Sequence, residues 1–331
     1  QAADRDNTPA TNPLTDEGAT LGRVLFYDRR LSRTQTVRCG SCHVQTHGFS
    51  DPAPTSTGVA GQTSRHSMPL VNVAYYRNGA MFWDERAPTL EQQVLEPIQD
   101  TTEMDLTLPE LVQRVEDAPY YEPLFVDAFG DPTVTPERIG MALAQFVRSI
   151  TAFETRFDEG MEAVGDPRQD FPGFTTEENL GKDLFLGNPM GGEPGCAPCH
   201  LDRGPPGAGG VNDGFFFPDA PRVNGFGDTD PGVGAVTGLA GDDQRFKSPS
   251  LRSVALRAPY MHNGGLTSLS EVIDFYDHQV ADVPNLDTLL IDGGSPRQLD
   301  LTALERAALE AFLHTLTDDT LATDPKWSDP F

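Results

Sequence analysis

Two five-residue segments, which together contain all four cysteines, constrain this chain more than any other feature. They read Cys39-Gly40-Ser41-Cys42-His43 and Cys196-Ala197-Pro198-Cys199-His200. Two cysteines that bracket two residues and precede a histidine form the attachment motif of a c-type haem. Two thioether bonds fix one edge of the porphyrin, and the adjacent histidine then reaches the iron. The pattern predicts two covalently bound haem c groups, with His43 and His200 as iron ligands.

Two other uses of these cysteines are open on sequence grounds. The first is a zinc site built from both pairs, although zinc ribbons place their pairs only about 12–20 residues apart. Here the pairs stand in opposite halves of the chain. The second is a disulfide within each pair, which leaves the histidine that follows each pair unexplained.

An internal repeat precedes the two motifs. Leu21-Gly22-Arg23-Val24-Leu25-Phe26 stands before the first, and Leu180-Gly181-Lys182-Asp183-Leu184-Phe185 before the second. Each copy follows an acidic, threonine-containing segment typical of a helix start. The repeat predicts a mainly α fold of two cytochrome c-like domains, each with one covalent haem. We place them at residues 1–163 and 164–331, connected by long loops rich in Gly and Pro.

Hydrophobic periodicity locates further elements. Apolar residues at helical spacing predict helices over 137–157 and 301–317. The first should close the N-terminal domain. Residues 202–245 are rich in Gly, Pro and Asp and predict a long structured loop, while residues 1–16 predict a loose lead-in.

The charge of the chain limits its partners. It carries 50 acidic and 24 basic residues, a net charge of −26. Such a surface repels phosphate, which excludes nucleic acid, and it attracts basic proteins. A merely well-solvated surface explains the charge equally well. No apolar run is long enough for a membrane span, and the polar start at Gln1 is typical of an exported protein after signal removal. Together with covalent haem, this predicts a periplasmic location.

Several further motifs occur in the order and at the spacing of one family. The chain resembles the bacterial dihaem cytochrome c peroxidases and their MauG relatives over nearly its whole length. Besides the two haem motifs, the segments that carry the resemblance are Phe82-Trp83-Asp84-Glu85-Arg86-Ala87, Leu90-Glu91-Gln92-Gln93, Pro97-Ile98, Glu103-Met104, Phe246-Lys247-Ser248-Pro249-Ser250-Leu251-Arg252 and Ala258-Pro259-Tyr260-Met261-His262-Asn263-Gly264. The resemblance implies a haem-dependent oxidoreductase with a peroxide-reacting haem in the N-terminal domain and an electron-transfer haem in the C-terminal domain.

The resemblance also assigns catalytic roles to three residues. Trp83 matches the tryptophan between the two haems, an easily oxidised bridge, although a core tryptophan is the commoner role. Glu103 and Gln93 match the distal residues of the peroxide-reacting haem. A carboxylate above the iron can move a proton between the two peroxide oxygens, and Gln93 can orient peroxide or water. Without the resemblance, both would be interpreted as helix-surface residues.

Tyr276 stands where the family's peroxidases carry the methionine that is the sixth ligand of the second haem, and MauG-type proteins carry tyrosine there. A capping box at Ser268 starts a helix that puts Tyr276 on the same face as apolar residues. The alternative is a core tyrosine, with Met261 or His278 as ligand. A phenolate favours oxidised iron, whereas methionine raises the reduction potential. The match therefore implies a MauG-like state in which both haems reach Fe(IV).

Two departures from the peroxidase pattern concern the first haem and calcium. The family's capping histidine is replaced by Val59, which implies an open, five-coordinate first haem. His66 stands where the family has an asparagine that binds calcium together with the carbonyl oxygens of Arg257 and Pro259. Imidazole does not suit calcium, although Asn72 is a candidate substitute.

A third departure concerns the route to a substrate. MauG carries a surface tryptophan just before its second haem motif, where this chain has Pro194, and the other tryptophan here is Trp327.

The leading hypothesis is a MauG-like enzyme that reacts with hydrogen peroxide and oxidises tryptophan or tyrosine of a partner protein. One alternative is a peroxidase that reduces peroxide with electrons from a small cytochrome or cupredoxin. The other is a non-catalytic electron-transfer cytochrome.

Overall fold

The structure, a computed structural model, describes residues 5–187, 195–200 and 220–331. These residues are mainly helical, as predicted. In chain order the helices are α1 (Asp16–Tyr27), α2 (Cys39–Cys42), α3 (Leu90–Gln93), α4 (Glu96–Gln99), α5 (Leu108–Glu116), α6 (Tyr121–Phe129), α7 (Pro136–Ser149), α8 (Arg156–Val164), α9 (Thr176–Leu186), α10 (Ala197–His200), α11 (Gly234–Thr237), α12 (Leu269–His278) and α13 (Ala303–His314). Within the described ranges, the one sheet is the antiparallel pair β1 (Ile291–Asp292) and β2 (Ser295–Pro296).

The sequence repeat becomes two similar helix pairs. Helix α1 packs against α7, and α9 packs against α13. A glycine of the repeat stands at each crossing. A Cβ atom on Gly22 would lie 2.0 Å from the carbonyl oxygen of Ala142, and one on Gly181 would lie 1.8 Å from that of Ala308. Glycine therefore allows a closer helix approach than any side chain would permit.

Buried apolar side chains form two main cores, one around each helix pair. Along the chain, the first core reaches Ala152 and the second begins at Phe157. Leu321 and Trp327 of the C-terminal segment return to the first core. The C-terminal segment thus packs on the first core. The domain limits at 163 and 164 stay a prediction.

The helix predicted over 137–157 is wrong beyond Ser149. Helix α7 ends there, and a short connection leads to α8. Asn72 holds this connection, since its side-chain oxygen accepts a hydrogen bond from the backbone N–H of Ala152 at 2.9 Å. Thr155 then starts α8 as its N-cap. Capping and a tertiary hydrogen bond therefore override the continuous apolar periodicity.

The lead-in is also more ordered than predicted. Asn7 donates from its side chain to the carbonyl oxygen of Val73 at 2.8 Å, and Asn12 donates to Glu91 at 2.8 Å. Asn12 is itself buried. From residue 5 onward this segment is therefore packed against the first core.

The remaining sequence predictions have mixed outcomes. Helix α13 lies inside the predicted 301–317 and buries Ala308 and Phe312, but Leu304 is 64% exposed. Of the predicted loop at 202–245, residues 202–219 lie outside the described part, and the rest is mostly irregular around α11. None of the described helices is long and apolar enough to cross a membrane.

Candidate functional site

The first cysteine motif forms α2, which lies against the ring of Tyr27. A Cβ atom on Gly40 would lie 2.6 Å from that ring, so only glycine fits at this position of the motif. Nδ1 of His43 lies 3.1 Å from the carbonyl oxygen of Phe49 and donates a hydrogen bond to it. This fixes the tautomer and leaves Nε2 as the nitrogen for iron. Burial lowers the pKa of His43, which favours the neutral, ligating form.

A cavity of about 560 Å³ opens beside this motif. Cys42, His43, Gln93 and Glu103 all line it. The structure therefore brings both predicted distal residues to the same cavity as the predicted proximal histidine. Burial, and secondarily the charge of Asp100, raises the pKa of Glu103. A carboxylate with a raised pKa is suited to exchanging protons near neutral pH.

The loop around Val59 supports the segment of Glu103 through backbone hydrogen bonds. The N–H of Val59 donates to the carbonyl oxygen of Glu103 at 2.9 Å, and that of Ala60 to the carbonyl oxygen of Thr102 at 3.1 Å. A Cβ atom on Gly58 would lie 2.0 Å from the same Thr102 oxygen. The Val59 side chain packs against the first core. This loop therefore holds the main chain of Thr102 and Glu103 in place, a role that its sequence does not reveal.

The second cysteine motif lines a separate cavity of about 170 Å³ together with Tyr276. Cys196 and His200 contribute to its wall, as do apolar side chains of α9, α12 and α13. Burial, with the nearby charges of Arg257 and Arg222, lowers the pKa of His200 to about 4, so its imidazole is neutral at pH 7. Burial raises the pKa of Tyr276 to about 12. A phenolate at Tyr276 therefore requires a cation such as iron to stabilise it.

Asn224, a residue that sequence analysis missed, lies at the candidate sixth ligand. Its Nδ2 is 3.4 Å from the hydroxyl oxygen of Tyr276 and 3.7 Å from the sulfur of Met261. Tyr276 and Met261 thus line the same cavity on either side of the Asn224 amide, and both stay candidates for the sixth ligand of the second haem. The side chain of His278 is 50% exposed and lies beside Asp277, outside the residues that line this cavity.

Trp83 lies between the two cavities and lines both. It is buried, and its indole N–H donates to the carbonyl oxygen of His66 at 2.7 Å. The N–H of Lys247 donates to the carbonyl oxygen of Trp83 at 2.8 Å. Lys247 and His66 also line both cavities. A single tryptophan, held from both halves of the chain, therefore separates the two predicted haem positions.

The predicted calcium donors do not form a calcium site as they stand. Both amide atoms of Asn72 are hydrogen-bonded to Ala152, with the oxygen accepting at 2.9 Å. The ring of His66 is buried, with Nε2 at 3.0 Å from the hydroxyl of Ser50. Arg257 and Pro259 line the second cavity, and Asn72 is not among the described residues that do so. Calcium therefore stays a prediction that these contacts do not support.

The cysteines fit haem attachment better than the two alternatives. Cys42 lines the first cavity and Cys196 the second, so the two pairs are not brought together in one place, which a shared zinc site would require. None of the four cysteines, all of which lie within the described residues, forms a disulfide. Burial raises the pKa of Cys39 to about 12 and that of Cys42 to about 11, which disfavours the thiolate form that zinc binds. Each cavity thus offers a cysteine thiol and a neutral imidazole from its own motif, Cys42 with His43 and Cys196 with His200, and this donor set suits haem c. Pro194, which the sequence analysis linked to the route of electrons to a substrate, lies outside the described residues.

Comparison with known proteins agrees with this assignment. A family model for di-haem cytochrome c peroxidase matches residues 16–165. The methylamine utilization protein MauG of Methylorubrum extorquens is 33% identical, over 95% of this chain and 82% of that protein. The cytochrome c551 peroxidase of Nitrosomonas europaea is 33% identical, over 80% of this chain and 74% of that protein. The crystal structure of a MauG-like protein associated with microbial copper homeostasis aligns with a TM-score of 0.80 and 32% identity, over 98% of this chain and 96% of that one.

The helical fold and its paired cavities, taken with these relatives, define a haem-dependent oxidoreductase of the peroxidase type. The chain belongs to the di-haem cytochrome c peroxidase family, which includes the MauG proteins.

Proposed function

We propose that this protein is a MauG-like enzyme that reacts with hydrogen peroxide at the first cavity and oxidises aromatic side chains of a partner protein. The observation that carries this proposal is the position of Trp83, which lines both cavities while Tyr276 lines the second. The proposal includes one haem in each of the domains 1–163 and 164–331, and an exported, periplasmic protein.

Haem bound in the first cavity would supply the iron that accepts peroxide and takes up its oxidising equivalents. The residues of the chain would manage the protons. Glu103 would take a proton from one peroxide oxygen and deliver it to the other, which would leave as water. Gln93, on the same wall, orients the bound peroxide. The backbone brace from Val59 keeps the Glu103 main chain in place for both steps.

Tyr276 and Trp83 would determine where the oxidising equivalents reside. An anionic oxygen ligand stabilises oxidised iron more than a thioether does. Tyr276 and His200 would hold the second haem, and His43 would hold the first. Trp83, which lines both cavities, would connect them, so that two oxidising equivalents could be kept in the protein until a partner arrives.

The decisive experiment compares Tyr276→Met with the control Met261→Leu in the holoprotein. We expect Tyr276→Met to raise the reduction potential of the second haem, because a thioether replaces a phenolate, and to abolish oxidation of partner tryptophan or tyrosine. Peroxide reduction with an artificial one-electron donor should survive. Met261→Leu should leave the potential within the range of the wild type. Redox titration followed by visible and near-infrared spectra measures both effects.

One observation favours the cytochrome c peroxidase alternative. The sulfur of Met261 lies near the same amide of Asn224 as the Tyr276 hydroxyl. If Met261→Leu lowers the potential and Tyr276→Met leaves it unchanged, methionine is the ligand. The protein is then a peroxidase that takes its electrons from a small redox protein.

A further inference from the structure

A buried tyrosine outside both cavities has an acid–base partner that the proposed chemistry does not use. Tyr76 is fully buried, and its hydroxyl donates a hydrogen bond to the carboxylate of Glu85. The second carboxylate oxygen of Glu85 accepts from the amide of Asn78 at 2.9 Å. The pair therefore places a proton acceptor directly at a phenol that water does not reach.

Glu85 occupies a backbone conformation that costs free energy. Its φ is +56°, in the left-handed region that favours glycine, and Phe82 in the same turn has φ +69°. A non-glycine residue in this region is strained, because its Cβ atom comes close to the backbone. Glycine would relieve the strain but would remove the carboxylate from Tyr76. Strain of this kind concentrates at functional positions, which points to a use for that carboxylate.

The pair is connected to Trp83 by Lys247. The amine of Lys247 lies 3.9 Å from the centre of the Tyr76 ring and donates to the carbonyl oxygen of Ala80 at 2.9 Å. Its backbone N–H is the donor to Trp83 described above, at 2.8 Å. Trp83 and Glu85 also belong to one turn of the chain. Lys247 thus contacts both Tyr76, through its side chain, and Trp83, through its backbone.

The adjacent Tyr75 leads from this pair to the surface. It is half-buried and lines an open cleft of about 790 Å³ together with Trp327 and residues of the N-terminal segment. Its ring meets that of Phe153 edge-on, with centroids 5.3 Å apart. An electron from a molecule in the cleft would therefore pass Tyr75 before it reached Tyr76.

We propose that Tyr76 is a redox-active tyrosine that carries oxidising equivalents from Trp83 towards the cleft at Tyr75, with Glu85 as its proton acceptor. The inference rests on the proposed function, which supplies the oxidant from peroxide. In the forward step Tyr76 gives one electron to the oxidised Trp83 and its phenolic proton to Glu85, which leaves a neutral tyrosyl radical and a protonated carboxyl group. An electron arriving through Tyr75 from an aromatic side chain of the partner, with return of the proton from Glu85, restores the starting state.

The amine of Lys247 explains why the proton acceptor is needed. A cation over an aromatic ring favours the neutral, electron-rich ring and opposes a positive charge on it. Loss of an electron alone would put a tyrosine cation radical beneath that amine. Simultaneous transfer of the proton to Glu85 avoids this, because the ring then stays neutral. Burial lowers the pKa of Lys247 to about 7, so the amine exerts this effect in its protonated form, at neutral pH and below.

The test uses the holoenzyme, hydrogen peroxide and no electron donor, followed by freeze-quench electron paramagnetic resonance. We expect a tyrosyl radical whose signal narrows when ring-deuterated tyrosine is incorporated. Tyr76→Phe should abolish this signal and slow oxidation of the partner by about 10-fold or more. Glu85→Gln keeps a hydrogen-bond acceptor but removes the base, so the radical should form at least about 10-fold more slowly.

Tyr121→Phe is the matched control. Tyr121 is also buried and donates to a carboxylate, that of Asp28, at 2.8 Å, but none of its contacts among the described residues joins it to Lys247 or Trp83. It should leave the radical signal and its rate unchanged. A wild-type signal that survives in Tyr76→Phe overturns the inference, as does an unchanged rate in Glu85→Gln. If peroxide still produces the shared oxidised state of the two haems in these samples, the proposed function stands and the tyrosine relay alone fails.

Discussion

Glu103 shows how one side chain acquires its chemistry from its surroundings. It lines the first cavity, where burial and the charge of Asp100 raise its pKa. Its turn is fixed by Asp100, whose carboxylate accepts from the Glu103 N–H at 3.1 Å. A base needs its deprotonated form, so the reaction should slow as the pH falls through that raised pKa.

Replacement of Glu103 by Gln keeps the size of the side chain and removes the proton carrier. We expect peroxide to bind, but cleavage of the O–O bond to slow by about 100-fold or more, because general acid–base catalysis contributes on that scale. The fall in rate at low pH should vanish with it. Stopped-flow absorbance of the holoenzyme after mixing with peroxide measures both. A rate and pH profile equal to those of the wild type would refute the assignment.

The sequence predicts which residues belong to the candidate sites, but not which other residues contact them. Motif positions predict Trp83, Gln93, Glu103 and Tyr276, and the structure places each at a cavity wall. Their catalytic roles stay predictions. Asn224 and the backbone of Val59 could not be predicted, because they act through tertiary hydrogen bonds that leave no pattern in the chain.

At the scale of elements, the two helix crossings determine how the candidate sites are supported. Helices α1 and α9 precede the two cysteine motifs, and each rests on a partner helix at a glycine. The repeat and the threonine caps, Thr15 and Thr175, predict both helices from the sequence. Apolar periodicity predicts too long a helix α7, because it carries no information on the side chain of Asn72, which holds the chain beyond the helix end.

Alanine at either crossing glycine should destabilise the protein. Within a helix, Gly→Ala normally gains about 1 kcal/mol. Here the new Cβ of Gly22→Ala or Gly181→Ala would meet a backbone carbonyl oxygen at 2.0 or 1.8 Å, so the helices must separate. We expect a net loss of about 2–3 kcal/mol in the free energy of unfolding, within the range for overpacked cores.

Gly173→Ala is the control for these variants, since nothing lies within 4 Å of its Cβ position. It should change the free energy of unfolding by less than about 0.5 kcal/mol. Thermal and denaturant unfolding of the holoproteins, followed by haem absorbance, compares the three. Equal stability of Gly22→Ala and Gly173→Ala would show that the α1–α7 crossing is not tightly packed.

At the scale of the whole molecule, charge governs encounters with other proteins. A net charge of −26 produces a field that attracts basic partners and is screened over about 8 Å at physiological ionic strength. We expect the association rate with a basic redox protein to fall by about 10-fold or more between low salt and 0.5 M salt, an order-of-magnitude expectation for electrostatic steering. Stopped-flow oxidation of that partner measures it.

The reaction with peroxide provides an internal control for this prediction. Hydrogen peroxide is uncharged, so its rate with the same enzyme should change by less than about 2-fold over that salt range. If the partner reaction is equally insensitive to salt, the acidic surface serves solubility rather than steering.

The hydrogen bond from the Trp83 indole to a peptide carbonyl has a consequence for how charge crosses the molecule. A carbonyl oxygen accepts a hydrogen bond but is far too weak a base to keep the proton. In the proposed enzyme, oxidised Trp83 would therefore keep its N–H and hold a positive charge, and its electron exchange would not be coupled to proton transfer. The rate of charge exchange through Trp83 should then not depend on pH. The proposed enzyme would thus pass charge through Trp83 without moving a proton, although protons must move at Glu103 and at Tyr76.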